Sequence, residues 1–274
     1  MTVRFVFGSV ALYLALTAFL WLGQARLIIE PERKLAVHAS ELAFPVKDVR
    51  IPVAGGGTID AWWIAPASVQ GKLFIYFHGN ATNLASSVDD TALLRSLGHG
   101  ILMPEYRGFG ESDGPFPSEA RMYEDAEAAL AFAIESLGYA PNDIYVYGHS
   151  LGSAVAIDLA SKHPELAGLV AESAFTSIAD MARLDRRYAM LPVGLLLNQR
   201  FESARKVAGL DVPVLFIHGT EDEVVPFTMA EALYARSRGR KHLLAIEGGR
   251  HDDDRIVAPA AMRAALNDLV HGGG

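Results

Sequence analysis

The sequence predicts an α/β domain built on a parallel sheet covered on both faces and led by a transmembrane segment. Three observations carry this. Short apolar runs alternate with helix-like stretches from residue 46 to residue 270. One of those runs, Lys72-Leu-Phe-Ile-Tyr-Phe77, is apolar almost throughout, as a strand buried on both faces must be. And no residue from Phe5 to Gly23 is charged, a length close to the ~20 apolar residues a membrane-crossing helix needs.

At 274 residues, 51% of them hydrophobic, the chain is long enough for one large core. Its formal charge of −8, with no internal block of basic residues, disfavours a nucleic-acid partner. Cysteine is absent, which excludes disulfides, thiolate metal sites, a Cys nucleophile and an acylated lipoprotein Cys.

Residues 1–25 read as an uncleaved membrane anchor, with Trp21 placed as an interfacial aromatic. A cleaved signal peptide is the rival, since Gly23-Gln24-Ala25 has small residues at cleavage spacing; a buried soluble helix ranks third. Arg4 ahead of the run favours an N-inside anchor with the domain outside the cytoplasm, or a secreted or periplasmic protein after cleavage; Arg26, Arg33 and Lys34 pull the other way. Residues 26–45 form a connector, of which 30–42 is polar or a short helix, and residues 46–274 form the domain.

Within the domain, Val46–Val53 and Ile59–Ile64 flank the turn Ala54-Gly-Gly-Gly-Thr58 and read as a hairpin. Further strands are expected at 72–77, 101–104, 143–147, 166–171, 212–217 and 242–246. Helices are expected at 84–97, 118–137, 152–162, 229–237 and 258–270. Residues 175–207 break the alternation, and an excursion of that length reads as a short cap.

Ligands of a parallel sheet bind beyond the carboxyl ends of its strands, so the polar residues just after each strand are the candidates. Gly148-His-Ser-Leu-Gly152 follows one strand and opens a helix, which makes Ser150 the expected nucleophile on a sharp turn that small neighbours permit. A serine needs a base, and the base a carboxylate to fix its tautomer. Asp222 follows the 212–217 strand and His251 the 242–246 strand, in the order this turn requires. Glu221 is the runner-up acid and Glu223 a close competitor; His242 and His271 are poorly placed as bases. The oxyanion needs two fixed amides, expected from Leu151 and, after the 72–77 strand, from Asn80, with Gly79 allowing close approach. His78 is expected to be a structural hydrogen-bonder, and Arg107 and Asp113 of the 106–114 loop to pair locally. The run Asp252-Asp-Asp254 reads as a solvated helix entry with no metal. His149 carries no assigned role.

Together Phe77-His-Gly-Asn80, Tyr106-Arg-Gly-Phe-Gly110, Gly148-His-Ser-Leu-Gly152, His218-Gly-Thr-Glu-Asp222 and Gly249-Arg-His251 resemble the α/β-hydrolase superfamily. The likeness is greatest to small serine hydrolases with an N-terminal membrane segment and a minimal cap, a branch that includes serine-aminopeptidase-like hydrolases and protein depalmitoylases. It spans residues 46 to 270 and implies an eight-stranded, mostly parallel sheet with an antiparallel first edge, Ser150 as nucleophile, His251 as base and Asp222 as its partner. Thr82 and Arg250 stand where such relatives carry small residues, and the 175–207 cap is too short to grip a peptide amine.

The expected function is cofactor-independent hydrolysis of a carboxylic ester or thioester, of small-molecule or lipid-like type, through an acyl-enzyme. If residues 5–23 anchor the chain, Leu191 to Leu197 face the bilayer and admit acyl chains. The alternatives are a catalytically silent binding module on the same fold, or a peptidase or amidase. Enzymes with an Asp nucleophile at the elbow, dehalogenases and epoxide hydrolases, are excluded by Ser150.

Overall fold

The computed structural model describes residues 13, 21–54, 56–68, 71–185 and 193–272. The strands are Lys47–Pro52 (β1), Thr58–Ile64 (β2), Leu73–Phe77 (β3), Gly100–Pro104 (β4), Ile144–His149 (β5), Gly168–Glu172 (β6), Val214–Gly219 (β7) and Lys241–Ile246 (β8). They form one sheet in the order β1-β2-β4-β3-β5-β6-β7-β8. β1, β2 and β4 pair antiparallel at one edge, and every other pairing is parallel. Each strand expected from the sequence is present, with ends displaced by no more than two residues.

The central strands β3, β4 and β6 are buried at every position. Alternate side chains point to opposite faces. Leu73, Ile75 and Phe77 therefore join the core under helices Glu119–Glu135 and Leu151–Lys162, while Phe74 and Tyr76 join the other core. Helix Pro259–His271 covers that second face with Met262, Ala265, Leu266 and Leu269, the three-and-four spacing of one helical stripe. At the edge, Gly56 and Gly57 take φ of 102° and 91° to close the β1–β2 hairpin, as their missing side chains allow.

The continuous helix expected over 84–97 is broken into Leu84–Ser87, a 3-10 turn Val88–Thr91, and Ala92–Ser96. The Ser86–Thr91 stretch is poor in helix formers, and Thr91 Oγ1 donates back to Val88 O at 2.6 Å, which bends the chain. The cap comprises the short helices Ile178–Leu184, Val193–Leu196 and Ser203–Lys206. Glu119 holds its return leg, accepting from the amides of Arg200 and Phe201.

Among the described residues no helix is long and apolar enough to cross a membrane. The expected membrane segment, Phe5 to Gly23, lies outside the described residues except for Tyr13 and residues 21–23. Residues 21–28 are helical, and the chain then runs without regular structure to the single 3-10 turn Ala39–Glu41. Ile29 is buried in the main core, so this connector packs as part of the domain.

Candidate active site

β5 ends at His149 and the next helix begins at Leu151, leaving Ser150 alone to turn the chain. It does so at φ 52° and ψ −118°, a conformation that costs a non-glycine residue free energy. The turn demands bare neighbours. A Cβ on Gly148 would lie 2.2 Å from Gly152 O, and one on Gly152 would lie 2.1 Å from Phe77 O. The strain is held by Ser150 N donating to Glu172 O at 3.0 Å and by Ser153 Oγ donating to Ser150 O at 2.6 Å.

The three expected residues meet. His251 Nε2 is 2.9 Å from Ser150 Oγ, and His251 Nδ1 is 2.8 Å from Asp222 Oδ2. Asp222 sits in the turn after β7, its side chain fully enclosed, with Oδ1 accepting from the amides of Val224 and Val225 at 2.8 Å each. Burial alone would raise its carboxyl, but hydrogen bonds from His218 and His251 and the Val225 amide outweigh that and hold it well below the ordinary carboxylate range. Glu221 and Glu223 are exposed, and Glu223 reaches toward Arg250 instead.

The loop of His251 is anchored by its own carbonyl, which accepts from Ser173 Oγ at 3.1 Å and lies 3.0 Å from His149 Nε2. These are the positioning residues that sequence reasoning missed. Ser173 stands just past β6, where other site residues stand past their strands, and its φ of 48° marks a second strained turn.

The loop after β3 lies against the elbow, since a Cβ on Gly79 would be 3.4 Å from Ser150 Cβ. His78 has the structural part expected of it: buried, with Nε2 2.7 Å from Glu105 Oε1 and Nδ1 2.9 Å from Gly79 O. Thr82 Oγ1 closes that turn by donating to Gly79 O at 2.9 Å. The Leu151 amide opens its helix, where backbone N–H groups have no partner within the helix. The Asn80 backbone N–H donates to no acceptor among the described residues.

Two expectations are corrected. Arg107 and Asp113 do not pair with each other: Arg107 binds Asp125 and Glu124 on helix Glu119–Glu135, and Asp113 binds Arg50 of β1 at 3.0 Å. Arg107 points inward to the helix that packs beneath its loop, while Asp113 lies at the hairpin edge. Nor is the 252–254 run uniformly solvated. Asp252 is exposed, but Asp254 is 1% exposed and neither of its oxygens has a partner. Burial first, then the charges of Glu172, Asp253 and Asp222, push its carboxyl up to about 8. Among the described residues, ligand atoms of His149, His251 and Asp252 lie within 4.8 Å of one another, but both ring nitrogens of His251 are already engaged by Ser150 and Asp222.

A profile of the alpha/beta hydrolase fold matches residues 72–212. The chain belongs to this family. This α/β-hydrolase is 32% identical over 253 residues to the uncharacterized protein Rv2307c of Mycobacterium tuberculosis, covering 92% of this chain and 89% of that one. It is 29% identical to the alpha/beta hydrolase domain-containing protein WAV2 of Arabidopsis thaliana, covering 85% and 82% of the two chains. Among solved structures, its fold is similar to that of the Pyrococcus furiosus esterase Pf2001, with a TM-score of 0.73 at 22% identity over 88% of this chain and 98% of that one.

Proposed function

We propose that this α/β-hydrolase is a serine esterase or thioesterase acting through an acyl-enzyme. The observation that carries the reading is the unbroken relay from Asp222 through His251 to Ser150, with hydrogen-bond distances of 2.8 and 2.9 Å. A silent binding module has no need of a strained Ser150 aimed at an imidazole.

Ser150 Oγ attacks the acyl carbon while His251 Nε2 takes its proton, and the charge on the former carbonyl oxygen is met by the amides of Leu151 and Asn80. Asp222 stabilises the imidazolium that forms and fixes the tautomer in which Nε2 is free to accept. Collapse of the tetrahedral intermediate breaks the bond to the alcohol or thiol, which leaves with the proton from His251. Water, deprotonated by the same imidazole, then attacks the acyl-enzyme, and Ser150 recovers its proton as the carboxylic acid departs. The chain supplies every group this cycle uses.

The apolar run Phe5 to Gly23 supports a membrane location for the enzyme, with the domain held close to lipid-like substrates. The shortness of the cap, residues 175–207, favours esters and thioesters over peptides. The test is hydrolysis of p-nitrophenyl butyrate, butyryl-thiocholine and butyryl-p-nitroanilide by the wild type and Ser150→Ala. Turnover of the ester and thioester that disappears in the variant is expected. Preference for the anilide, or activity that survives Ser150→Ala, overturns the reading.

A further inference from the structure

The helix at residues 21–28 does not stand apart from the domain. Gln24, almost fully buried, donates from Nε2 to Leu196 O and accepts at Oε1 from Asn198 N at 2.8 Å, and Asn198 Nδ2 donates to Trp21 O at 2.8 Å. The helix is therefore pinned to the cap. Between the two lies a cavity of about 310 Å³, walled by Leu27 and Ile28 on one side and by Ile178, Met181, Val193 and Leu196 on the other. That volume falls at the lower end of the ~300–1,000 Å³ typical of small-molecule sites.

The first wall is hydrogen-bonded to the loop of Asn80, and the second follows Ser173 along the chain. On the first, Ile28 O accepts from Asn80 Nδ2 at 2.9 Å, Asn80 Oδ1 accepts from Glu30 N at 2.8 Å, and Ala81 N donates to Glu30 O at 3.0 Å. The segment that walls the cavity thus also holds the loop whose amide faces the oxyanion. On the second, the cap helix containing Ile178 and Met181 begins shortly after Ser173, whose hydroxyl anchors the His251 carbonyl.

The chemistry of the lining selects the occupant. Eight of its ten lining residues are aliphatic or thioether side chains, Ala182 and Leu197 among them, and Gln24 and Asp185 are the two polar ones. The same three elements also carry Trp21, Leu22, Leu27, Leu184 and Leu195, five of the nine large hydrophobics exposed on the described surface. Such clustering marks a surface that receives an apolar ligand.

We propose that this cavity is the subsite for the acyl chain of the substrate, with the helix ending at Ile28 as its outer wall. The proposal rests on the serine-esterase reading and extends it to a substrate class: esters or thioesters of medium-length fatty acids. The membrane-proximal segment is then a working part of the site, which sets chain-length preference and holds the oxyanion loop through the Asn80 side chain. Each further methylene buried in the cavity should raise kcat/KM by roughly fourfold, until the cavity is full.

The test uses the full chain in detergent and measures kcat/KM on p-nitrophenyl acetate, octanoate and palmitate, with fluorophosphonate labelling in parallel. Ala182 lines the cavity, so Ala182→Phe puts a ring into it, and the octanoate-to-acetate ratio is expected to fall at least tenfold. In Gln24→Ala the helix loses its grip on the cap, and the same ratio is expected to fall severalfold. An unchanged ratio in a variant that still labels overturns the subsite. Should Ala182→Phe lose labelling, Met181→Ala decides: the enlarged cavity must raise palmitate relative to octanoate, and an unchanged profile overturns the proposal. Wild-type protein that neither labels nor cleaves any of the esters overturns the serine-esterase reading itself.

Discussion

His149 ties the turn of Ser150 to the loop of His251: its Nε2 lies 3.0 Å from the carbonyl oxygen of His251, and the two imidazole rings pack 5.2 Å apart. A carbonyl can only accept, so His149 carries its proton on Nε2 when this bond is made. The Ser173 hydroxyl holds the same oxygen from the β6 side. His149→Ala removes one of these two anchors without touching the reacting atoms. A neutral hydrogen bond is worth about 1 kcal/mol, so kcat should fall about fivefold with KM unchanged, and Ser173→Ala should behave alike. Steady-state kinetics on a short ester checks this, and a full kcat in both variants contradicts the anchoring role.

Asp222→Asn replaces the acceptor for His251 Nδ1–H by an amide that can present a donor there. By the logic of serine-protease triads, where the equivalent change costs about 10⁴ in kcat, activity should drop by several orders of magnitude while labelling slows in parallel. Stability responds as well. The folded-state carboxyl lies below its unfolded value, so its stabilising contribution is present above about pH 4 and is lost as pH falls toward the folded value. The wild type should therefore lose its advantage in melting temperature over Asp222→Asn on acidification below that range. A gap that is the same at pH 3 and pH 7 contradicts this.

Asp254 has the opposite sign. Its carboxyl is raised to about 8 when folded, so the native state keeps a proton that the unfolded chain has released above about pH 4. Stability is then lost as pH rises from about 4 to about 8. Asp254→Asn removes this cost, and should gain at least ~1 kcal/mol at pH 9, or about 2–4 °C in melting temperature. The gain should close toward pH 4. Thermal denaturation of both proteins across that range reads it directly, and an equal or lower melting temperature for the variant at pH 9 contradicts the burial of an unpartnered carboxyl.

Gly152→Ala would place a methyl 2.1 Å from Phe77 O and 2.5 Å from His78 O, both backbone atoms that cannot turn away. The cost should reach the upper part of the ~1–3 kcal/mol typical of overpacking, and the elbow should lose its geometry, so melting temperature and ester turnover fall together. Gly209→Ala meets nothing within 4 Å and should change stability by no more than ~0.5 kcal/mol. Equal melting temperatures for the two variants would contradict the close strand–helix approach.

The sheet and the meeting of Ser150, His251 and Asp222 were legible in the sequence for the same reason. A strand buried on both faces must be apolar throughout, so β3, β4 and β6 stand out, and Ser150, Asp222 and His251 follow the ends of β5, β7 and β8 within five residues. What was hidden depends on contacts that carry no local pattern. Arg107 finds Asp125 eighteen positions away on a helix, and Asp254 looks like any acid at a helix start until Gly249 lets it sink inward, its Oδ1 2.4 Å from where a Cβ would stand. The bonds between residues 28–34 and the loops of Asn80 and Gly108 run mostly through main-chain atoms, which every residue possesses. The broken helix at 84–97 was signalled by its serines, aspartates and Thr91, but its apolar spacing outweighed them.

Covalent labelling of the full chain with a fluorophosphonate, followed by peptide mass analysis, tests the role of Ser150 most directly. One adduct is expected, on the peptide bearing Ser150, absent in Ser150→Ala and formed far more slowly in His251→Ala. A wild-type protein that takes up no label, or that is labelled at a residue other than Ser150, contradicts it.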